Sequence, residues 1–227
     1  MKQNMVGGLP GKVLGLLADL LHKLQHGVHT AEELNLFLQR KNPFAITGIR
    51  SEWSEFYRKH FRLAVDFDGV IIPDDPGGFD RVLLIPQNLT LSKVLKTLHQ
   101  QTKFRVWTYR EDLDKGVPAN ARNTKQSYAI RLRDRSDAEL NNLSANQLQE
   151  RGENVITLLE QLIFELKYFD ETGKRPNLQN ATLCGGTRDS DGSVPLVHWN
   201  SDFGQLSVDC CGPDDAYDMM RGRLVIS

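Results

Sequence analysis

The sequence predicts an α+β protein with N-terminal helices, a central mixed α/β region and a C-terminal antiparallel β subdomain. Three observations predict it. Apolar residues recur at helical spacing through the first 62 residues, period-two alternation appears near residue 130, and past residue 180 short apolar pieces are joined by Gly, Asp, Ser and Pro. The division that follows is a helical module over 1–62, a mixed α/β region over 63–140 and a C-terminal domain over 141–227.

Val13, Leu14, Leu17, Leu20, Leu21 and Leu24 form one stripe of a first helix, preceded by Pro10 and closed by Gly27. Thr30 with Glu33 is a capping box for a second helix, expected to run to Asn42-Pro43. A third is expected over 51–60, with Trp53, Phe56 and Tyr57 on one face. Strands are expected over 81–85, 104–109 and 127–133, with a helix over 92–101. In the last strand Tyr128, Ile130 and Leu132 alternate with Ala129, Arg131 and Arg133, which predicts one wet face and solvated arginines. The polar run 116–123 reads as a surface loop. Ser144 with Gln147 opens a short helix. An amphipathic helix follows, with Val155, Leu158, Leu159, Leu162, Ile163, Leu166 and Phe169 on one side and Gly173 as its stop. Strand pieces at 196–199, 206–211 and 223–226 read as an antiparallel meander packed on the 154–172 helix.

Charges nearly cancel, at a net of -1, so no overall field favours nucleic acid or an anionic membrane. Cys184, Cys210 and Cys211 have neither disulfide-framework nor zinc spacing, so free thiols in a reducing, cytoplasmic setting are expected. No signal peptide and no apolar run of about 18 residues is read, so no transmembrane segment is expected.

Asp66-Phe67-Asp68-Gly69 resembles the first motif of the haloacid dehalogenase-like phosphatases, with Thr108 and the Asp214, Asp215, Asp218 cluster loosely imitating later motifs. The resemblance implies a Mg²⁺-dependent phosphohydrolase with Asp66 as nucleophile and Asp68 as acid/base. That fold demands alternating strands and helices and a lysine before the acidic cluster, whereas no lysine follows Lys174. A solvated turn pair is therefore the preferred reading of Asp66 and Asp68. His22 and His26, at i and i+4, lack an acidic third ligand, and His198 stands alone, so no metal site and no cofactor are expected.

The stretch from Gly185 through Asp218 contains no Lys, Glu or Met. Codons ending in a pyrimidine never specify Lys, Glu, Gln, Met or Trp, and only Trp199 and Gln205 depart from that vocabulary here. The segments 142–146, 158–173, 182–192 and 221–227 resemble a group of uncharacterised proteins of small-genome bacteria. The Cys-Gly-Gly start at Cys184, the Trp199 strand and the Arg221-Gly-Arg223 ending are similar to the variable proteins of diversity-generating retroelements. This resemblance implies a C-type lectin-like fold for the C-terminal subdomain and a non-catalytic function, with adenine-directed codon rewriting producing a binding face. The implied diversified residues are Asp189, Asp191, Leu196, His198, Asn200, Asp202, Phe203, Asp209, Cys210, Cys211, Asp214, Asp215, Tyr217 and Asp218. The implied scaffold is Gly185, Gly186, Trp199, Leu206, Val208, Arg221, Arg223 and Val225. The implied partner is a macromolecular or cell-surface ligand, a protein rather than a nucleic acid, and the sequence leaves the oligomeric state open.

Overall fold

A computed structural model of the chain describes residues 11–38 and 43–227. The chain divides into two compact units, residues 1–51 and 52–227. In the first, α1 (Gly11–Gln25) ends where Gly27 turns left-handed at φ +70°. The capping box of α2 (Ala31–Leu38) forms: the Thr30 amide donates to the Glu33 carboxylate at 2.9 Å and the Glu33 amide to the Thr30 hydroxyl at 3.1 Å. Pro10 and the expected extension through 39–42 lie outside the described residues. The stripe of α1 is not buried as expected, since Leu21 is 60% exposed and Leu14 and Leu17 are also exposed. A unit of about 50 residues lacks the volume to enclose a whole apolar stripe.

The helix α3 (Pro43–Phe61) starts before the expected residue 51 and carries the chain into the second unit, where Trp53, Phe56 and Tyr57 are buried. The Tyr57 hydroxyl donates to the carbonyl of Leu84 at 2.8 Å, which seats this aromatic face on β1 (Arg81–Ile85). β1 pairs antiparallel with β4 (Tyr128–Leu132), whose other edge takes β11 (Val225–Ile226), giving a three-stranded sheet. The wet face expected of β4 is covered. Ala129 is buried, the Arg131 guanidinium donates to the carbonyls of Pro73 and Phe79, and Arg133 lies 4.1 Å from the Phe79 ring and pairs with Glu139. Pro73 and Phe79 both come from the 62–80 segment, which lies over this face.

A second, mixed sheet of six strands has the order β2 (Arg105–Thr108), β9 (Gln205–Cys211), β8 (Val194–Asn200), β6 (Ala181–Leu183), β10 (Met220–Gly222), β5 (Leu140–Asn141). It corrects the expected antiparallel meander, because β2–β9 and β10–β6 are parallel pairs. The reason is that the tail does not close on itself. β2, from the central region, completes its edge, and the expected strand at 223–226 shortens to β11 in the other sheet, while an unexpected strand just before it, β10, enters this one. Strands on both sides of residue 140 thus share each sheet. The expected loop at 116–123 is also partly ordered: α5 (Leu113–Gly116) precedes it, and β3 (Ala119–Asn120) pairs with β7 (Thr187–Arg188).

Three helices complete the unit. α4 (Leu91–Thr102) is capped by Thr90 and ended by left-handed Lys103. α6 (Ala145–Glu150) has the Ser144–Gln147 capping box, and α7 (Leu158–Thr172) has one between Thr157 and Glu160. The helix α7 packs on α4, β1 and β8, and every residue from Leu158 to Lys167 is buried. It is a central helix whose polar side is buried too: Arg122 faces Glu160 as an ion pair at 3.0 Å, and Asn177 and Gln161 donate to Glu165 at 2.6 and 3.0 Å, while the Gln161 Oε1 has no hydrogen-bond partner among the described residues. Among the described residues no helix is long and apolar enough to cross a membrane.

Candidate functional site

Register in the β8–β9 hairpin decides which tail residues share a face. Val194, Leu196, His198 and Asn200 lie opposite Cys211, Asp209, Ser207 and Gln205, and directly opposed residues project to one side. One end of that face is closed: Val194 and Leu196 join Leu148 of α6, Leu183 and Met220 in an apolar core. Leu196, at 9% exposure, is therefore interior packing rather than a surface contact. Codon vocabulary carries no information on burial, so the sequence could not separate it from its neighbours.

Asp189 is the second correction. It is 4% exposed and accepts from the Tyr109 hydroxyl and from Arg110 Nε, both at 2.6 Å. Burial works against its charged form, but the bonds from Arg110, Tyr109 and Ser190 outweigh it and hold the carboxyl well below its ordinary range. Arg110 also reaches exposed Asp191 at 3.1 Å, so one guanidinium ties both carboxylates of the 188–193 turn to the end of β2.

Cys210 and Cys211 follow on β9 and point to opposite faces. Burial, with Asp209, raises the Cys210 thiol, and burial with Asp215 pushes Cys211 up to about 11. Both stay protonated near neutrality, which makes them weak nucleophiles. Beyond them, the 212–219 loop is pinned to the start of α6: the Asn146 amide donates to the carbonyl of Pro213 at 3.0 Å and its side chain to Asp214 at 2.6 Å. Asp215 accepts from the Gly212 amide at 2.7 Å, leaving Tyr217 and Asp218 exposed.

The remaining residues sit at the other end of the hairpin. His198 and Asn200 are half-buried, Asn200 accepts from the amides of Asp202 and Phe203, and Phe203 is 66% exposed at the turn. A seven-residue strand separates the two ends by about 20 Å. The structure thus groups Asp189, Asp191, Asp209, Cys210, Cys211, Asp214, Asp215, Tyr217 and Asp218 at one end of β8–β9, and Asn200, Asp202 and Phe203 at the other.

The scaffold positions are mostly interior. Val208, Arg223 and Val225 are buried, and Trp199 has the Arg175 guanidinium over its ring at 3.6 Å and Phe104 edge-on at 5.2 Å. A Cβ on Gly185 would lie 2.8 Å from Val155, and one on Gly186 2.9 Å from the Val155 carbonyl, so only glycine fits the approach to the 155–157 segment.

Sequence reasoning missed Tyr109, Arg110, Asn146 and Trp107, the last 44% exposed on β2. A signal existed for Arg110: the 185–218 stretch holds seven Asp against the single Arg188, so a buried carboxylate there needs a cation from elsewhere.

Asp66 and Asp68 lie outside any strand, in a turn where Asp66 accepts from the Asp68 amide at 2.8 Å. They border a cleft of about 720 Å³ with Arg122, Ser127 and Tyr128. Among the described residues no three His, Cys, Asp or Glu side chains converge as metal ligands would. The rings of His22 and His26, at the end of α1 and just beyond it, lie with centroids 4.2 Å apart and tilted at 56°. No protein-family model matches the chain, and no curated protein or solved structure matches it either.

Proposed function

We propose that the protein is a non-catalytic recognition protein whose C-terminal C-type lectin-like subdomain presents a diversified surface, through residues 187–220, to a macromolecular ligand, most simply another protein. One observation carries this reading: within a tail written almost wholly in pyrimidine-ending-codon residues, Asp191, Asp202, Phe203, Asp214, Tyr217 and Asp218 are exposed. The intervening Val194, Val197 and Val208 are fully buried. A rigid framework carrying short polar and aromatic side chains suits adaptable contacts. The rim at the 188–193 and 209–218 end is acidic, so the partner is expected to offer basic groups. Asp189 and Leu196 fall to the scaffold in this reading.

Sequencing the DNA around the coding region tests it. The expected result is a near-identical repeat of the tail with adenines at the codons of the exposed residues, beside a reverse-transcriptase gene. A flank with neither returns the tail to an ordinary loop-rich sheet.

A further inference from the structure

The edge of the six-stranded sheet points to a second copy of this chain. β2 is the terminal strand of the sheet. The Tyr109 amide donates to the Val208 carbonyl at 3.0 Å, which fixes the phase of the parallel ladder: residues 105, 107 and 109 turn their N–H and C=O groups toward β9. The N–H and C=O groups of Val106 and Thr108 therefore point away from the sheet, and they have no hydrogen-bond partner among the described residues. Edge strands are normally protected by shortness, a charged side chain, a proline, a bulge or a covering segment, and β2 is four residues long with exposed Arg105 at its start. Past Arg105, Val106-Trp107-Thr108-Tyr109 carries no charge and no proline, consists of strong β-formers, and exposes Trp107 by 44%.

We propose that two copies pair their β2 strands antiparallel about a two-fold axis through Trp107, joining two six-stranded sheets into one. The register is self-complementary. Val106 of each copy meets Thr108 of the other, and each such pair exchanges both N–H···O bonds, so the four outward donors and four outward acceptors are all satisfied. Trp107 meets its own symmetry mate in the non-hydrogen-bonded site, where Cα atoms approach to about 4.5 Å and cross-strand aromatic pairs are most favourable. Arg105 falls opposite Tyr109 rather than opposite another arginine, so no like charges are opposed. A two-fold pairing of identical patches closes as a dimer and does not propagate. The inference is independent of the recognition reading. If both hold, His198 and Asn200 from each copy lie on one continuous sheet face.

The test is the solution mass of the full chain by light scattering after gel filtration. Wild type is expected at twice the 25.7 kDa of one chain. Trp107→Glu and Trp107→Lys, each placing like charges across the axis, are expected as monomers when alone and as a dimer when mixed in equal amounts. Unchanged circular dichroism checks that each variant is folded, and the exposure of Trp107 makes that the expected result. Trp107→Cys is expected to form a disulfide-linked dimer under mild oxidation, because the Cα spacing suits the bond. A monomeric wild type overturns the proposal. So does a dimer that Trp107→Glu leaves intact, or a failure of the mixed charge variants to restore association.

Discussion

Asp189 and Asp191 stand two positions apart in one turn and are the same residue type, yet their surroundings are opposite. The Asp189 side chain is fully enclosed between Tyr109, Arg110 and Ser190, while the Asp191 side chain is 60% exposed. Asp189→Ala removes the acceptor of two charge-assisted bonds and leaves the Tyr109 hydroxyl without its partner, so a loss of about 2–3 kcal/mol is expected. Asp191→Ala removes one exposed pair and is expected to change stability by less than about 0.5 kcal/mol. Urea unfolding midpoints of the two variants measure the difference, and equal losses would contradict the assignment of Asp189 to the framework. Neither residue's role was legible in the sequence, because Arg110 lies roughly 80 positions upstream and only the pairing of β2 with β9 brings it alongside.

At the scale of the element, α7 shows how a correct reading of periodicity leaves out the environment. Its stripe from Leu158 to Phe169 and its Gly173 stop were legible, since each is local chemistry, whereas Val155 falls before the helix and the Thr157–Glu160 capping box went unread. That its polar side is buried as well was not legible, because burial there comes from neighbours distant in sequence. Glu165 records the consequence. Burial raises its carboxyl from an ordinary 4.5 to about 7, against the opposing effect of the donors Asn177 and Gln161 and of the Arg223 charge. With the folded-state value above the unfolded one, the folded protein holds this proton more tightly between pH 4.5 and 7. Its contribution is thus most favourable below pH 4.5, declines as pH rises to 7, and is constant above. The span is worth about 3 kcal/mol. Glu165→Gln keeps the acceptor oxygen and removes the titration. The variant is expected to match the parent in acid and to be more stable by up to about 3 kcal/mol at alkaline pH. Denaturant titrations of both proteins across that range check it, and a constant difference would refute it.

For the molecule as a whole, the last eight residues join the two sheets. β10 inserts between β6 and β5, β11 closes on β4, and between them fully buried Arg223 donates to the carbonyls of Arg135 and Ser136 at 3.0 and 3.1 Å and lies 4.5 Å from the Phe164 ring. A chain ending at residue 219 loses strands from both sheets at once. It is expected to retain helical circular dichroism but to lose near-ultraviolet signal and cooperative unfolding. A sharp thermal transition in that truncated chain would show the sheets to be independent. Legible in the residues alone were the α+β class, the capping boxes at Thr30 and Ser144, the Gly27 and Gly173 stops, and the strands at 81–85 and 206–211, because propensity, spacing and capping act within a few residues. The parallel pairing of β2, the insertion of β10 between β6 and β5, the burial of Asp189 and Leu196, and the open edge at Trp107 follow from long-range packing alone. Each of these depends on which strand lies beside which, and strand neighbours far apart in the chain are chosen by the packing of the whole unit rather than by any local pattern.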